Sequence, residues 1–234
     1  MVPKTLTAAA LGIGLLAGCA THSDKVVSTG PAASHSAPAE QVAAPTLHSG
    51  DVWIDRIQGT NREFRIESVQ SDGTMNVSFW GSEMTTDPNL NTIVYRSLTE
   101  ASSDPSISDK PEMWFSFPLY PGKTWVNDYS WKITGASAST GQAEDVGKVL
   151  GWEEVTVPAG TFHCLKVEVT SRFFGKGGMF DEAQLTYWYS PKANRFVKFD
   201  YHSNYEGTVI AELAEYKPAA VHEPSPPVAP RDKM

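Results

Sequence analysis

Apolar and polar residues alternate with a period of two through the middle of the chain, and this restricts the fold more than any other feature. In Arg62-Glu63-Phe64-Arg65-Ile66-Glu67-Ser68-Val69, Phe64 and Ile66 alternate with Glu63, Arg65 and Glu67. Successive side chains on a strand point to opposite faces, so this is the pattern of a half-buried strand. Ser71-Asp72-Gly73 follows, and Asp-Gly between alternating segments is a hairpin signal. Residues 74–80 then return with Met75, Val77 and Phe79 on one face. Further strands are expected at 51–57, 91–98, 112–117, 124–134, 142–157, 161–173, 183–190, 195–203 and 207–216. Residues 99–111, rich in Ser, Asp and Pro, read as a loop. No stretch offers three turns of apolar residues at helical spacing with caps. The expected fold is all-β, a single antiparallel meander of about ten strands forming a curved sheet, half-barrel or barrel.

The aromatic residues mark where this domain begins and ends. All 25 Trp, Tyr and Phe residues lie between Trp53 and Tyr216. Such side chains dominate core burial, which places the β-domain at 48–217. Residues 19–47, after the first Cys, are rich in Ala, Ser, Pro and Thr and cannot bury enough apolar area to offset their ordering entropy. They read as a flexible tether, whose 20–47 portion would average roughly 30 Å end to end. The Pro-rich residues 218–234 read as a disordered tail. A net charge of −8 argues against a nucleic-acid partner, which would need a basic face.

The N-terminus reads as an address. Lys4 precedes a short apolar run from Leu6 to Leu16. The run is too short to span a bilayer, which takes about 20 residues, and it matches the apolar region of a secretory signal peptide over residues 1–18. Leu16-Ala17-Gly18-Cys19 follows and resembles the lipobox of bacterial lipoproteins. The resemblance implies cleavage before Cys19, acylation of that residue and attachment to a membrane through the lipid. Each buried CH₂ of an acyl chain contributes roughly 0.8 kcal/mol, and more than one chain gives stable anchoring. Ala20, where an Asp would favour retention at the inner membrane, implies by the same resemblance an outer-membrane site facing the periplasm. With Cys19 acylated, Cys164 has no disulfide partner. It lies in the alternating stretch 161–169 with His163 on the opposite face, and reads as a small buried hydrophobe.

Three phrases carry a second resemblance. They are Phe117-Pro118-Leu119-Tyr120-Pro121-Gly122-Lys123-Thr124-Trp125, Val155-Thr156-Val157-Pro158-Ala159-Gly160-Thr161-Phe162, and Tyr187-Trp188-Tyr189-Ser190-Pro191 followed by Val197-Lys198-Phe199. In this order they resemble a group of uncharacterised secreted β-rich bacterial proteins. That resemblance implies a fold and no reaction. Physically, Pro158-Ala159-Gly160 and Ser190-Pro191-Lys192-Ala193-Asn194 have turn chemistry.

Familiar catalytic patterns are missing. No Gly-x-Ser-x-Gly occurs, and Gly122-Lys123-Thr124 lacks the upstream Gly of a phosphate-binding loop, where Phe117 stands. Gly175-Lys176-Gly177-Gly178 reads as a hairpin loop, and the His residues show no metal-ligand spacing. No cofactor is implied. The leading expectation is therefore a non-enzymatic envelope lipoprotein that binds a hydrophobic or lipid ligand, or an envelope protein. Candidate lining residues are Trp114, Phe115, Phe117, Trp125, Trp131, Trp152, Trp188 and Tyr189, and for each of them core packing is the favoured reading. The alternative is a hydrolase acting on envelope glycan or ester bonds, with Asp128, Glu153 or Glu182 as acid or base. Cys19→Ala is expected to abolish fatty-acid labelling and move the protein from the membrane to the soluble fraction; labelling that persists would show that the lipid sits elsewhere.

Overall fold

The computed structural model describes residues 40–98, 104–135, 138–205 and 207–219. The signal peptide, Cys19, most of the tether and nearly all of the tail lie outside the described residues. Twelve strands follow one another: β1 Val52–Ile57, β2 Thr60–Val69, β3 Met75–Phe79, β4 Ser82–Thr86, β5 Thr92–Ser97, β6 Ser106–Glu112, β7 Thr124–Ile133, β8 Ser139–Val157, β9 Gly160–Gly175, β10 Gly178–Ser190, β11 Arg195–Ser203 and β12 Gly207–Lys217. Every strand pairs antiparallel with its sequence neighbours, and β1 pairs with β12, closing a barrel. The all-β antiparallel meander is as expected from the alternation, in its closed form and with two strands more than the period suggested.

Alternating burial defines the two faces of the wall. On β7, Trp125, Asn127 and Tyr129 are buried, while Thr124, Val126, Asp128 and Ser130 are exposed. The outer face is charged. Arg172 bonds Glu144 and Glu182 at 2.9 Å each, Arg65 bonds Glu63 at 2.6 Å, and Lys198 lies 4.0 Å from Glu212. The apolar side of the wall thus faces inward.

Topology gives the barrel two unlike ends. After each odd-numbered strand the chain turns at one end, mostly through short links such as Gln58-Gly59, Trp80-Gly81 and Lys176-Gly177. We call this the turn end. The opposite end receives the N-terminal segment, the exit of β12 and the long connection 113–123 between β6 and β7. That connection carries the buried side chains Phe115 and Leu119. Leu119 exchanges two backbone bonds of 2.8 Å with Val42, and Lys123 Nζ donates to the carbonyls of Ser116 and Pro118. Residues 40–47, which composition assigns to the tether, therefore run against this end, with Val42 and Leu47 buried.

Two elements depart from the sequence reading. Residues 112–117, expected as a strand for their apolar character, mostly belong to the buried connection, and the strand of that region is β6 at Ser106–Glu112. Its polar sequence and Pro111 disguise it. It pairs with β7 only at Ser106, Ile107 and Ser108; beyond these, side chains join the two segments, with Asp109 accepting from Ser130 N–H and Asn127 donating to Pro111 O. The short β4 was hidden in Ser82-Glu83-Met84-Thr85-Thr86, which reads as polar although Met84 and Thr86 are buried.

Two glycines in β8 serve close packing. Gly147 pairs with Trp125 and Gly141 with Trp131 across the β7–β8 ladder. A Cβ at either glycine would overlap the facing indole, so each Trp lies flat where a side chain would stand. Gly147→Val is expected to lower stability by about 1–3 kcal/mol through overpacking, read as a fall in melting temperature. Gly151→Ala, where a Cβ meets no atom within 4 Å, should leave it unchanged.

Candidate functional site

The lumen is bridged by aromatic rings. Phe79 stacks on Trp80 at 4.2 Å, and Trp80 reaches Phe199 at 5.9 Å. Phe199 contacts Tyr187 at 5.0 Å, Tyr187 contacts Trp114 at 5.9 Å, and Trp114 returns to Phe79 at 6.1 Å. This circuit joins the β3–β4 turn, β11, β10 and the connection 113–123, so it spans the interior from wall to wall. Phe115 packs beneath it against Tyr187 at 5.1 Å and Tyr189 at 5.5 Å. Its backbone is held by Asn91, which accepts from Phe115 N–H and donates to Phe115 O, both at 3.0 Å.

Polar groups inside this lining are tightly paired or deeply buried. Asp55 of β1 accepts two bonds from Arg195 of β11, at 3.2 and 2.8 Å, and a third from Trp80 Nε1 at 2.7 Å. Burial pulls the Arg195 guanidinium below its ordinary value, and the Asp55 carboxylate opposes that shift. Asp145 lies in a row formed by the cross-strand partners Asn127, Asp145 and Ser171. It accepts from Ser171 Oγ at 2.6 Å and from Met113 N–H at 3.0 Å. Burial is the main cause that lifts the Asp145 carboxyl above the ordinary carboxylate range; its hydrogen bonds act the other way. The hydroxyls of Tyr129 and Tyr187 are buried near it without a hydrogen-bond partner among the described residues, and burial, then Glu112 and Asp145, hold both phenols protonated well beyond their usual range.

The structure scatters the aromatic candidates through the packing. Trp125 and Tyr189 belong to one buried cluster together with Phe115, and Phe117, Trp114 and Trp152 pack against it. Trp188 belongs to a second cluster, flanked by Lys166 and Lys198 over its ring at 5.4 and 5.0 Å, with its indole N–H donating to Glu153. Trp131 differs, because its ring faces the exposed Phe180 at 6.1 Å at the turn end. Two surface depressions, of about 330 Å³ among Glu67, Asn76, Glu83 and Arg96 and about 420 Å³ between residues 40–46 and Tyr189, Pro191 and Asn194, lie outside the aromatic circuit.

The three carboxylates named as acid or base do not converge. Asp128 and Glu153 are exposed, on β7 and β8, and Glu182 is held in the Arg172 ion pair. His163 bonds Glu154 at 2.7 Å and stacks on Trp152 at 4.5 Å, on an open surface. Cys164 faces away from His163 and is fully buried, and burial pushes its thiol up to about 12. Sequence reasoning missed Asp55, Arg195 and Asp145, which sit in ordinary alternating segments and acquire meaning only across strands. It also missed the exposed pair Met179-Phe180, whose one signal is the aromatic residues flanking a Gly-rich turn.

A closed antiparallel barrel with a charged outer face and aromatic rings packed across its lumen is the class that these features define. The chain matches the family described as "Protein of unknown function (DUF3108)" over residues 65–213, and belongs to it. No curated protein matches it. Among solved structures it is similar to the hypothetical lipoprotein YmcC from Escherichia coli (K12), at 10% identity and a TM-score of 0.47, over 72% of this chain and 85% of that one. It is also similar to a provisionally named exported protein with a YmcC-like fold from Bacteroides fragilis, at 15% identity and a TM-score of 0.43, over 75% of this chain and 100% of that one.

Asp145 provides a pH test of this interior. The unfolded chain titrates near the ordinary carboxylate value of about 4, and the folded protein holds the proton to higher pH. The resulting stabilisation is complete below that ordinary value and is lost as pH rises through the raised folded value. The stability of the wild type relative to Asp145→Asn should therefore fall as pH rises from about 4, by at most about 1.4 kcal/mol per pH unit, in urea unfolding series; a pH-independent difference would contradict the shift.

Proposed function

We propose that this chain is a non-enzymatic, lipid-anchored protein of the bacterial envelope. In this reading Cys19 holds it on the outer membrane and the barrel faces the periplasm. The barrel acts by engaging an envelope component at its surface, not by carrying a ligand in its lumen. The observation that carries the last part is the aromatic circuit through Phe79, Trp80, Phe199, Tyr187 and Trp114. A barrel that houses an acyl chain needs an apolar interior left free of its own side chains, and here they occupy it. The Leu-Ala-Gly-Cys motif and the Ala/Ser/Pro-rich segment after it support the address.

The two versions of the binding reading separate in one measurement. The compact unit Pro38–Met234 contains the whole barrel and the segment that runs against its end. Purified from bacterial cells, extracted with organic solvent and analysed by mass spectrometry, it is expected to yield no lipid in stoichiometric amount. One acyl lipid per chain would overturn surface engagement in favour of a carrier.

A further inference from the structure

We propose that the lip of the turn end around the β9–β10 hairpin is a membrane-contact surface that docks on anionic lipid headgroups. The inference deepens the envelope reading by naming the component engaged. It starts from Phe173-Phe174-Gly175-Lys176-Gly177-Gly178-Met179-Phe180, in which aromatic residues flank a Gly-rich turn. Gly178, at φ +102, supplies the left-handed residue that the turn needs. Met179 pairs with Phe174 and Asp181 with Phe173, so Phe180 is the extra residue of a bulge and is left without a cross-strand partner. Its ring sits 6.1 Å from Trp131 and 6.2 Å from Phe173.

The patch is exposed although it is apolar. Met179 and Phe180 are 57% and 53% exposed, and Tyr205 is 81% exposed. Tyr205 is held beside them, because its N–H donates to Asp181 at 3.3 Å. The hairpin also stands above its neighbour. The ladder with β11 ends at Ala183–Ser203, whereas β10 begins at Gly178, so its first five residues project past the end of β11.

Charge selects the occupant. Lys176 in the turn and Lys132 next to Trp131 are exposed, and neither makes an ion pair among the described residues. Lys176 lies in the turn between the aromatic residues, and Lys132, alternating with Trp131, points to the outer face of β7 at the same end; these two unpaired lysines, in a chain of net charge −8, suit an anionic interface. There an aromatic body enters the headgroup boundary while the ammonium groups stay with the phosphates. A second copy of the chain would bring the same two lysines against these.

Flotation with vesicles tests this on the unit Pro38–Met234, which lacks Cys19, so its outcome is independent of the anchor. The wild type should float with vesicles of phosphatidylethanolamine and phosphatidylglycerol and remain behind with pure phosphatidylcholine. Met179→Ser with Phe180→Ser should reduce flotation about tenfold. Lys132→Glu with Lys176→Glu should reduce it comparably and remove its salt sensitivity. Melting curves should be unchanged for the lysine pair and slightly lowered for the Met179-Phe180 pair, because the Phe180 ring also packs on Trp131 and Phe173; both variants should remain folded at the temperature of the assay. Absence of flotation by the wild type, equal flotation by the variants, or dimerisation through this patch without vesicle binding would each overturn the proposal. A failure here leaves the Cys19 fractionation result standing, so the two readings fall separately.

Discussion

The bidentate pair of Asp55 and Arg195 is the interaction on which the closed barrel most depends. Asp55 lies on the first strand and Arg195 on the eleventh, with β12 between them, so the pair ties the two ends of the meander together at the seam where it closes. Both side chains are almost fully buried. Removing two charges from water costs several kcal/mol per ion, and only good geometry with further hydrogen bonds offsets it. Those conditions are met on the acid by Trp80 Nε1. The base has no further hydrogen bond, its Nε being buried without a partner among the described residues; ring faces lie against it instead, with the guanidinium 4.1 Å from Phe64 and 3.9 Å from Phe196. A lysine could not reproduce the planar fork or the stacking. The pair also fixes register, since a slip by one residue on β1 or β11 would turn a buried charge to the outside and leave its partner unpaired.

From that clamp the interior follows outward. Trp80 is drawn over the ion pair, and in that position it meets Phe79 and Phe199 and so begins the aromatic bridge across the lumen. The bridge completes only because the connection 113–123 turns inward and brings Trp114 into it and Phe115 beneath it. A barrel of this many strands would be wide enough to leave a cavity if its wall alone supplied the filling. Here a segment that is not part of the wall fills it. Met179, Phe180 and Tyr205 stay exposed at the lip beside the β9–β10 turn.

The sequence made much of the wall legible and little of what fills it. Alternation located β2, β3, β7 and β9 closely, because one face of each meets water and the other does not. It failed at β6, where Pro111 and polar residues conceal a strand held partly by side chains, and at 112–117, where apolar character reflects burial without strand pairing. Composition placed the N-terminal border at 48, whereas Val42 and Leu47 are buried; two apolar residues among Ala, Pro and Thr are too sparse a signal. The burial of Cys164 was readable from its alternating stretch. The pairing of Asp55 with Arg195 was not, because a contact between residues 140 positions apart is set by closure of the sheet. For the same reason no local pattern singled out Asp145 from the exposed carboxylates around it.

The phrases that resemble the family have a common physical role, and it gives the barrel a direction. Lys123 braces the connection at Ser116 and Pro118, Ala159 N–H bonds Leu213 O, and Ala193 O receives the indole N–H of Trp53 at 2.8 Å. All three lie at the end where the N-terminal segment arrives, so this end is braced, and the exposed apolar side chains of the β9–β10 hairpin stand at the other.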